Sequence, residues 1–199
     1  MFNFKKLYAM KRLFLFFAVL CMSHFMMGQE HMKFKGVEID GSLNEMVTKL
    51  KAKGFTYLGA EDGIAMLQGD FAGYRDCQII VMTIKETGVV NAIGVAFPEV
   101  EEWSLLERNY DGLKSMLIEK YGEPMRVIEE FQNDYVSDNS SKWHELHMDR
   151  CTWFSVFETE SGTIELFIQK VKYGNAAVIL KYYDKMNTDV ARASAMDDL

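Results

Sequence analysis

From Trp103 to Pro124 (WSLLERNYDGLKSMLIEKYGEP) the apolar positions recur at helical spacing. Leu106, Tyr110, Leu113, Leu117 and Tyr121 form one stripe with a period near 3.6 residues. Glu107, Arg108, Asp111, Lys114 and Glu119 fill the other faces, with Glu101 and Glu102 at the start and Lys120 near the end. That charge order suits the helix dipole. Gly122 fits the left-handed position after a helix, and Pro124 blocks continuation. A single apolar stripe predicts that this helix buries one face against a sheet.

A shorter helix is predicted before it. Ser42 and Glu45 form a capping box, and Leu43, Met46, Val47 and Leu50 supply the stripe, which ends at Gly54. Lys33 to Glu38 reads as a first strand. Phe55 to Leu58 and Ile64 to Leu67 read as a strand pair around Asp62-Gly63, a favoured hairpin turn. Phe71 to Ile84 reads as one longer strand with a bend at Gly73, followed by Val89 to Phe97. In that last strand Ile93, Val95 and Phe97 alternate with Ala92, Gly94 and Ala96. The small side predicts a face that a helix approaches closely.

After the long helix, Met125 to Phe131 reads as a strand and residues 132–141 as polar loop. Lys142 to Met148 reads as a helical turn or two. Arg150 to Glu158 and Thr163 to Lys170 form a predicted hairpin, and Ala176 to Tyr183 the last strand. Residues 184–199 are polar and read as a frayed tail. The fold class is therefore α+β: antiparallel sheet with two main helices packed on one face.

The chain also reads as a tandem pseudo-repeat of helix then strands, about 33–97 and 101–183. CQIIVMTIKETG, from Cys77, aligns without a gap beside CTWFSVFETESG, from Cys151, and the helix ends match at Gly54 and Gly122. Gly41-Ser42 with Val47 and Leu50, and Leu117 with Tyr121-Gly122-Glu123-Pro124, resemble the helix signatures of the β-lactamase-inhibitor-protein-like group. That group includes a small lipoprotein of the outer-membrane assembly machinery. The resemblance covers the two helix ends, and the first copy has Lys53-Gly54-Phe55 where the second has Pro124. It implies short helices against antiparallel sheets, sometimes in tandem, and binding of proteins rather than catalysis.

The N-terminus changes the picture of location. Met10-Lys11-Arg12 is a short basic segment, with Met10 a second candidate start, and Leu13 to Cys21 (LFLFFAVLC) is an apolar run too short to span a bilayer. Residues 1–28 read as a signal peptide, with Gln29 the first mature residue. Leu20 before Cys21 is bulky for a lipoprotein signal. The leader carries four cations and no acid, so its removal takes the net charge from −7 to −11. Such a chain is a poor ligand for nucleic acid or anionic membranes. No later segment is long and apolar enough for a membrane span. The mature stretch 29–183 suits one domain.

Candidate chemistry is sparse. Cys77 and Cys151, the cysteines outside the leader, are either a disulfide in an exported protein or two buried thiols. His144 and His147, with Asp149 and Cys151 following, are candidate metal ligands, but their spacing is not His-Glu-x-x-His. Asn133, Asp134, Asp138 and Asn139 could serve calcium but lack the EF-hand order. No nucleophile elbow, phosphate loop or dinucleotide fingerprint occurs, and no motif calls for a cofactor. Beside His31, a histidine-based catalytic device must use His144 or His147. Aromatic residues are dense late in the chain: Trp143, Trp153, Phe154, Phe157, Phe167, Tyr173, Tyr182 and Tyr183. Trp143, Trp153, Tyr182 and Tyr183 are the candidate binding surface, an aromatic face with an acidic rim, unless a second layer covers it.

The reading is an exported, non-enzymatic protein-binding or structural module of the periplasm or cell surface, partnered by another envelope protein. A small-ligand or metal-binding protein is the alternative, and a hydrolase centred on His144 and His147 the third.

Overall fold

The computed structural model describes residues 30–133, 135–171 and 174–197. The leader at 1–28, Asp134 and Tyr173 lie outside the described residues. Two short strands, β1 (Lys33–Phe34) and β2 (Val37–Glu38), form a small hairpin. Then come α1 (Leu43–Ala52), β3 (Thr56–Glu61), β4 (Ile64–Phe71), β5 (Tyr74–Thr83) and β6 (Val90–Ala96). The second run is α2 (Trp103–Tyr121), β7 (Arg126–Phe131), α3 (Asn139–His147), β8 (Cys151–Thr159), β9 (Gly162–Lys170) and β10 (Ala176–Asp184), closed by α4 (Lys185–Asp197). The fold is α+β, with one eight-stranded sheet in the order β3-β4-β5-β6-β10-β9-β8-β7. Every neighbouring pair is antiparallel.

Local chemistry explains most of these elements. The Ser42 N–H donates to Glu45 Oε2 at 2.9 Å, and the Glu45 N–H donates back to Ser42 Oγ at 3.4 Å, which closes the capping box of α1. Asp62 and Gly63, at φ 48° and 78°, make the two-residue turn between β3 and β4. Ala72 and Gly73, at φ 50° and 84°, make a second one between β4 and β5. The stretch read as one bent strand is therefore two strands and a hairpin. The left-handed turn accepts Ala72 at a cost of about 1 kcal/mol.

α2 buries Trp103, Leu106, Tyr110, Leu113 and Leu117 and ends where the Gly122 N–H donates to the Ile118 carbonyl at 2.9 Å. Its first turn is not acidic, because Glu101 and Glu102 precede the helix. α3 starts earlier than its apolar pattern indicates, because Asp138 caps it, accepting from the Ser140 and Ser141 N–H groups, each at 2.9 Å.

The polar tail forms a helix from 185 to 197 instead. Asp184, fully buried, accepts from the Asn187 N–H at 2.9 Å and so acts as a cap. Asn187 Nδ2 is buried among the Ile39 carbonyl, Asp40 Oδ1 and the Val90 carbonyl, at 3.0 to 3.1 Å. These contacts hold the first turn of α4, which composition alone marks as solvent-loving.

The core is one cluster. Met46 and Leu50 of α1 and the buried residues of α2 join Leu67, Ile79, Val81, Ile93, Val95, Phe97, Leu166, Val178 and Leu180. The large side of β6 is thus the side that meets helices. On the small side a Cβ on Gly94 would meet Ile80 Cβ and Met82 Cε at 3.7 Å, an ordinary contact distance. Gly162 is required for another reason, since a Cβ there would run into the Tyr183 carbonyl of the neighbouring strand.

One polar pair sits inside this core. The Tyr110 hydroxyl and Ser155 Oγ lie 2.6 Å apart, both buried, and burial pushes the phenol well above its usual range. Tyr110→Phe leaves the serine hydroxyl without its partner, which costs about 1–3 kcal/mol. The double change Tyr110→Phe/Ser155→Ala removes both polar groups and should recover most of that loss. Urea melts of the three variants measure it, and a single mutant as stable as the parent would show that the pair contributes nothing.

Candidate functional site

Alternation along the strands divides the sheet residues into two sets. In β10, Val178, Leu180 and Tyr182 belong to the core cluster. Ala177, Ile179, Lys181 and Tyr183 alternate away from it. The strand register extends this second set across the whole sheet. The row through its middle runs Arg126, Val156, Glu165, Lys181, Gly94, Ile80 and Met66. An apolar row beside it runs Ile128, Phe154, Phe167, Ile179 and Ala96.

Two features define the centre of this set. Ala92, Gly94 and Ala96 carry almost no side chain, so the surface dips at β6 between the larger residues of β5 and β10. Lys181 borders the dip. Its Nζ lies 5.2 Å from the centre of the Phe167 ring, a cation–π contact. Among the described residues Lys181 makes no ion pair, although Glu165 is its cross-strand neighbour. The Tyr183 phenol is pushed up to about 12, chiefly by burial, with the nearby Glu165 carboxylate adding to the shift. Lys181 is thus a half-buried residue with its ammonium on an aromatic ring.

The outer end of the same set is exposed and apolar. Leu58, Ile64 and Met66 are 54%, 43% and 40% exposed. With Gly59, Ala60, Glu61 and Asp62 they line an open groove of about 510 Å³. A second groove of about 340 Å³ lies where Glu158, Thr163 and Tyr183 meet Thr188, Asp189 and Arg192 of α4.

The aromatic residues singled out in the sequence sit elsewhere, with one exception. Tyr182 is a core residue. Trp153 packs against Trp103 and Phe131, with ring centres 4.9 and 4.8 Å apart. Trp143 stacks near His147 at 4.8 Å and packs partly buried against the core. Only Tyr183 belongs to the alternate set. The residues that the sequence reading missed lie in the first half, where β4 is apolar on both alternations: Ile64 and Met66 on one side, Ala65 and Leu67 on the other. That double apolarity was the available signal.

The histidine pair does not form a metal centre. His144 is exposed, and His147 Nδ1 stands 2.9 Å from the Trp143 carbonyl. Among the described residues no group of three His, Cys, Asp or Glu side chains is placed to hold an ion. Glu145 is committed to Arg150 through two bonds of 2.8 Å, which hold its carboxyl below the ordinary carboxylate range. Asp138 is spent on capping α3, and Asn133 accepts from the Tyr135 N–H.

The disulfide reading is overturned. Both cysteines are free. Cys77 lies on β5 and Cys151 on β8, four places apart in the sheet, which at about 4.8 Å per step is about 19 Å. A bridge needs α-carbons within about 7 Å. Burial pushes the Cys77 thiol up to about 11 and that of Cys151 up to about 12. Neither has the environment of a reactive nucleophile. The aligned letters around them also occupy different places, since β5 is third in its run of four strands and β8 second.

No family model matches the chain, and no curated protein or solved structure is significantly similar to it. No described helix is long and apolar enough to cross a membrane.

Thiol chemistry checks this arrangement. In protein starting at Gln29, denatured and unreduced, both Cys77 and Cys151 should label. A chain without free thiols would restore the bridge. Both folded values lie above the ordinary 9.0, so folding favours the protonated form. The associated stability is complete below about pH 9 and falls as pH climbs through 11 and 12, where unfolded thiols ionise first. Denaturant melts across that window read the decline, and Cys77→Ala should flatten it.

Proposed function

We propose that the chain is an exported, non-enzymatic module of the cell envelope that binds another protein through the sheet face bearing Lys181. In this reading α1 and α2 pack on one face as the helices of two tandem halves, the first ending at β6 and the second at β10. The opposite face, beyond the end where Thr163 and Tyr183 meet α4, is left for the partner. The antiparallel four-strand runs, each preceded by a helix, support the tandem arrangement. They are also what the resemblance to the β-lactamase-inhibitor-protein-like group implies. Export rests on the leader pattern of residues 1–28.

The observation that carries the proposal is the central cation. A lysine over Phe167, beside a dip floored by Gly94 and without a carboxylate of its own, costs desolvation energy that a partner's Asp or Glu recovers. Ile80 and Met82 near it, both half-buried, offer apolar contact, and methionine adapts its shape to what it meets. The partner is therefore a protein that presents a carboxylate flanked by apolar side chains. Such a centre, ringed by contacts that exclude water, is where interface energy concentrates. A catalytic reading needs titratable groups that converge on one reacting atom, whereas His144 is exposed and His147 Nδ1 lies against the Trp143 carbonyl.

Capture from an envelope extract, with the chain from Gln29 as bait, tests this. Lys181→Glu should lower recovery of the bound protein at least tenfold, as expected for a reversed charge at an interface centre. Lys120→Glu, on α2, should leave recovery unchanged. Both variants must keep the parent's circular dichroism. A partner held equally by Lys181→Glu would refute the assignment of the face.

A further inference from the structure

We propose that the outer edge of β7 pairs antiparallel with β7 of a second copy, so that two sheets join into one. This rests on the strand edges and holds whether or not the Lys181 face binds a partner.

The sheet ends in two edge strands, and among the described residues nothing pairs with the outer side of either. They are built differently. β3 shifts register between Tyr57 and Gly59, and Gly59 takes φ 156°. A bulge of this kind spoils an edge for further pairing. β7 is regular: its six residues pair with β8 without a register shift, and it contains neither proline nor glycine. Its flank is also apolar, with Met125 61% and Val127 42% exposed.

The charges on β7 select the partner. Antiparallel pairing about a two-fold axis sets each residue opposite a fixed counterpart. Registers centred on a residue keep the same sheet faces aligned, because side chains alternate with period two. Centring on Val127 sets Arg126 against Ile128. Centring on Glu129 sets two carboxylates face to face. Centring on Ile128 sets Arg126 opposite Glu130 of the second copy, and Glu130 opposite its Arg126, with the two Ile128 side chains in contact between them. Opposite charges stabilise a cross-strand pair, and like charges oppose it. The same alternation that repels an arbitrary strand thus admits this one.

This register has a further consequence. Ile128 ends the apolar row that runs through Phe154 and Phe167 to Ile179. Joined at Ile128, the rows of two copies become continuous across the axis. On the other side Glu129 is already satisfied by Lys114, 2.6 Å away, so it does not bring an uncompensated carboxylate to the seam.

Sedimentation velocity of the chain from Gln29, across the micromolar range, tests the proposal. The parent should sediment as a dimer. Arg126→Glu and Glu130→Arg should each weaken it by at least about tenfold, since each sets like charges opposite one another twice. The combined reversal, Arg126→Glu with Glu130→Arg, should restore the dimer. Ile128→Cys should cross-link to its own copy on oxidation. A parent that stays monomeric throughout overturns the proposal, as does a dimer that neither single reversal weakens. Both positions are exposed, so circular dichroism should be unchanged, and recovery by the double reversal excludes misfolding as the cause of any loss.

Discussion

The pairing of β6 with β10 is the constraint on which the rest of the molecule depends. All other strand neighbours are consecutive in sequence and are joined by hairpin turns or, between β7 and β8, by the segment that carries α3. Only β6 and β10 come from distant parts of the chain, with Tyr183 opposite Ala92 and Ile179 opposite Ala96. The junction is extended by the Phe97 N–H donating to the Val178 carbonyl and by two bonds between Val100 and Ala176. Each four-strand run alone would expose an edge and half a core. Pairing them merges Ile93 and Val95 with Val178 and Leu180 into one cluster, and the burial of such residues is worth about 1.5–3 kcal/mol each. Because this contact closes the longest loop, it carries the largest ordering cost of any strand pair.

A polar clamp at one end of β10 supports the junction. Asp184 is fully buried and accepts from the Met32 N–H at 2.6 Å and the Asn187 N–H at 2.9 Å, with His31 Nδ1 at 3.0 Å. One carboxylate therefore ties the first described residues to the last helix. Asn187 extends the tie to the Ile39 and Val90 carbonyls. A buried carboxylate is tolerated only when its oxygens are satisfied in this way. The arrangement supports strand β10 with partners on both sides and with Met32 and Asn187 fastened beside it.

Much of this was legible from pattern. The long helix declared itself through Leu106, Tyr110, Leu113 and Leu117, and the capping box and Asp62-Gly63 turn through short-range chemistry that any context respects. What was not legible is non-local. Neighbouring residues such as Trp153 and Phe154 must face opposite ways, but their letters do not tell which side is covered. Trp153 proved to be the inner one because Trp103 and Phe131 come to meet it. The matching spacing around Cys77 and Cys151 reflected strand length and turn composition, not equivalent places in the sheet. α4 escaped notice because its stability comes from Asp184 and Asn187 reaching distant backbone groups, which no local propensity encodes. The candidate site was missed for the same reason: Lys181 is conspicuous only when Phe167 is seen beneath the ammonium and Gly94 is seen opposite it.

The nature of the surface also argues for what kind of function it serves. Side chains on a sheet point along parallel directions, about 4.8 Å apart between strands, so a sheet face spreads its groups rather than converging them. Catalysis needs convergence on a reacting atom, whereas recognition of a protein surface needs rigid, distributed contacts with a few strong ones at the centre. In the proposed reading Lys181 occupies that centre, on a strand paired on both sides and opposite Gly94. A group held in place before binding loses little further freedom when a partner arrives, and this is where a rigid sheet has its advantage over a loop. The chemistry of the face and the mechanics of β10 therefore both suit the use proposed for it.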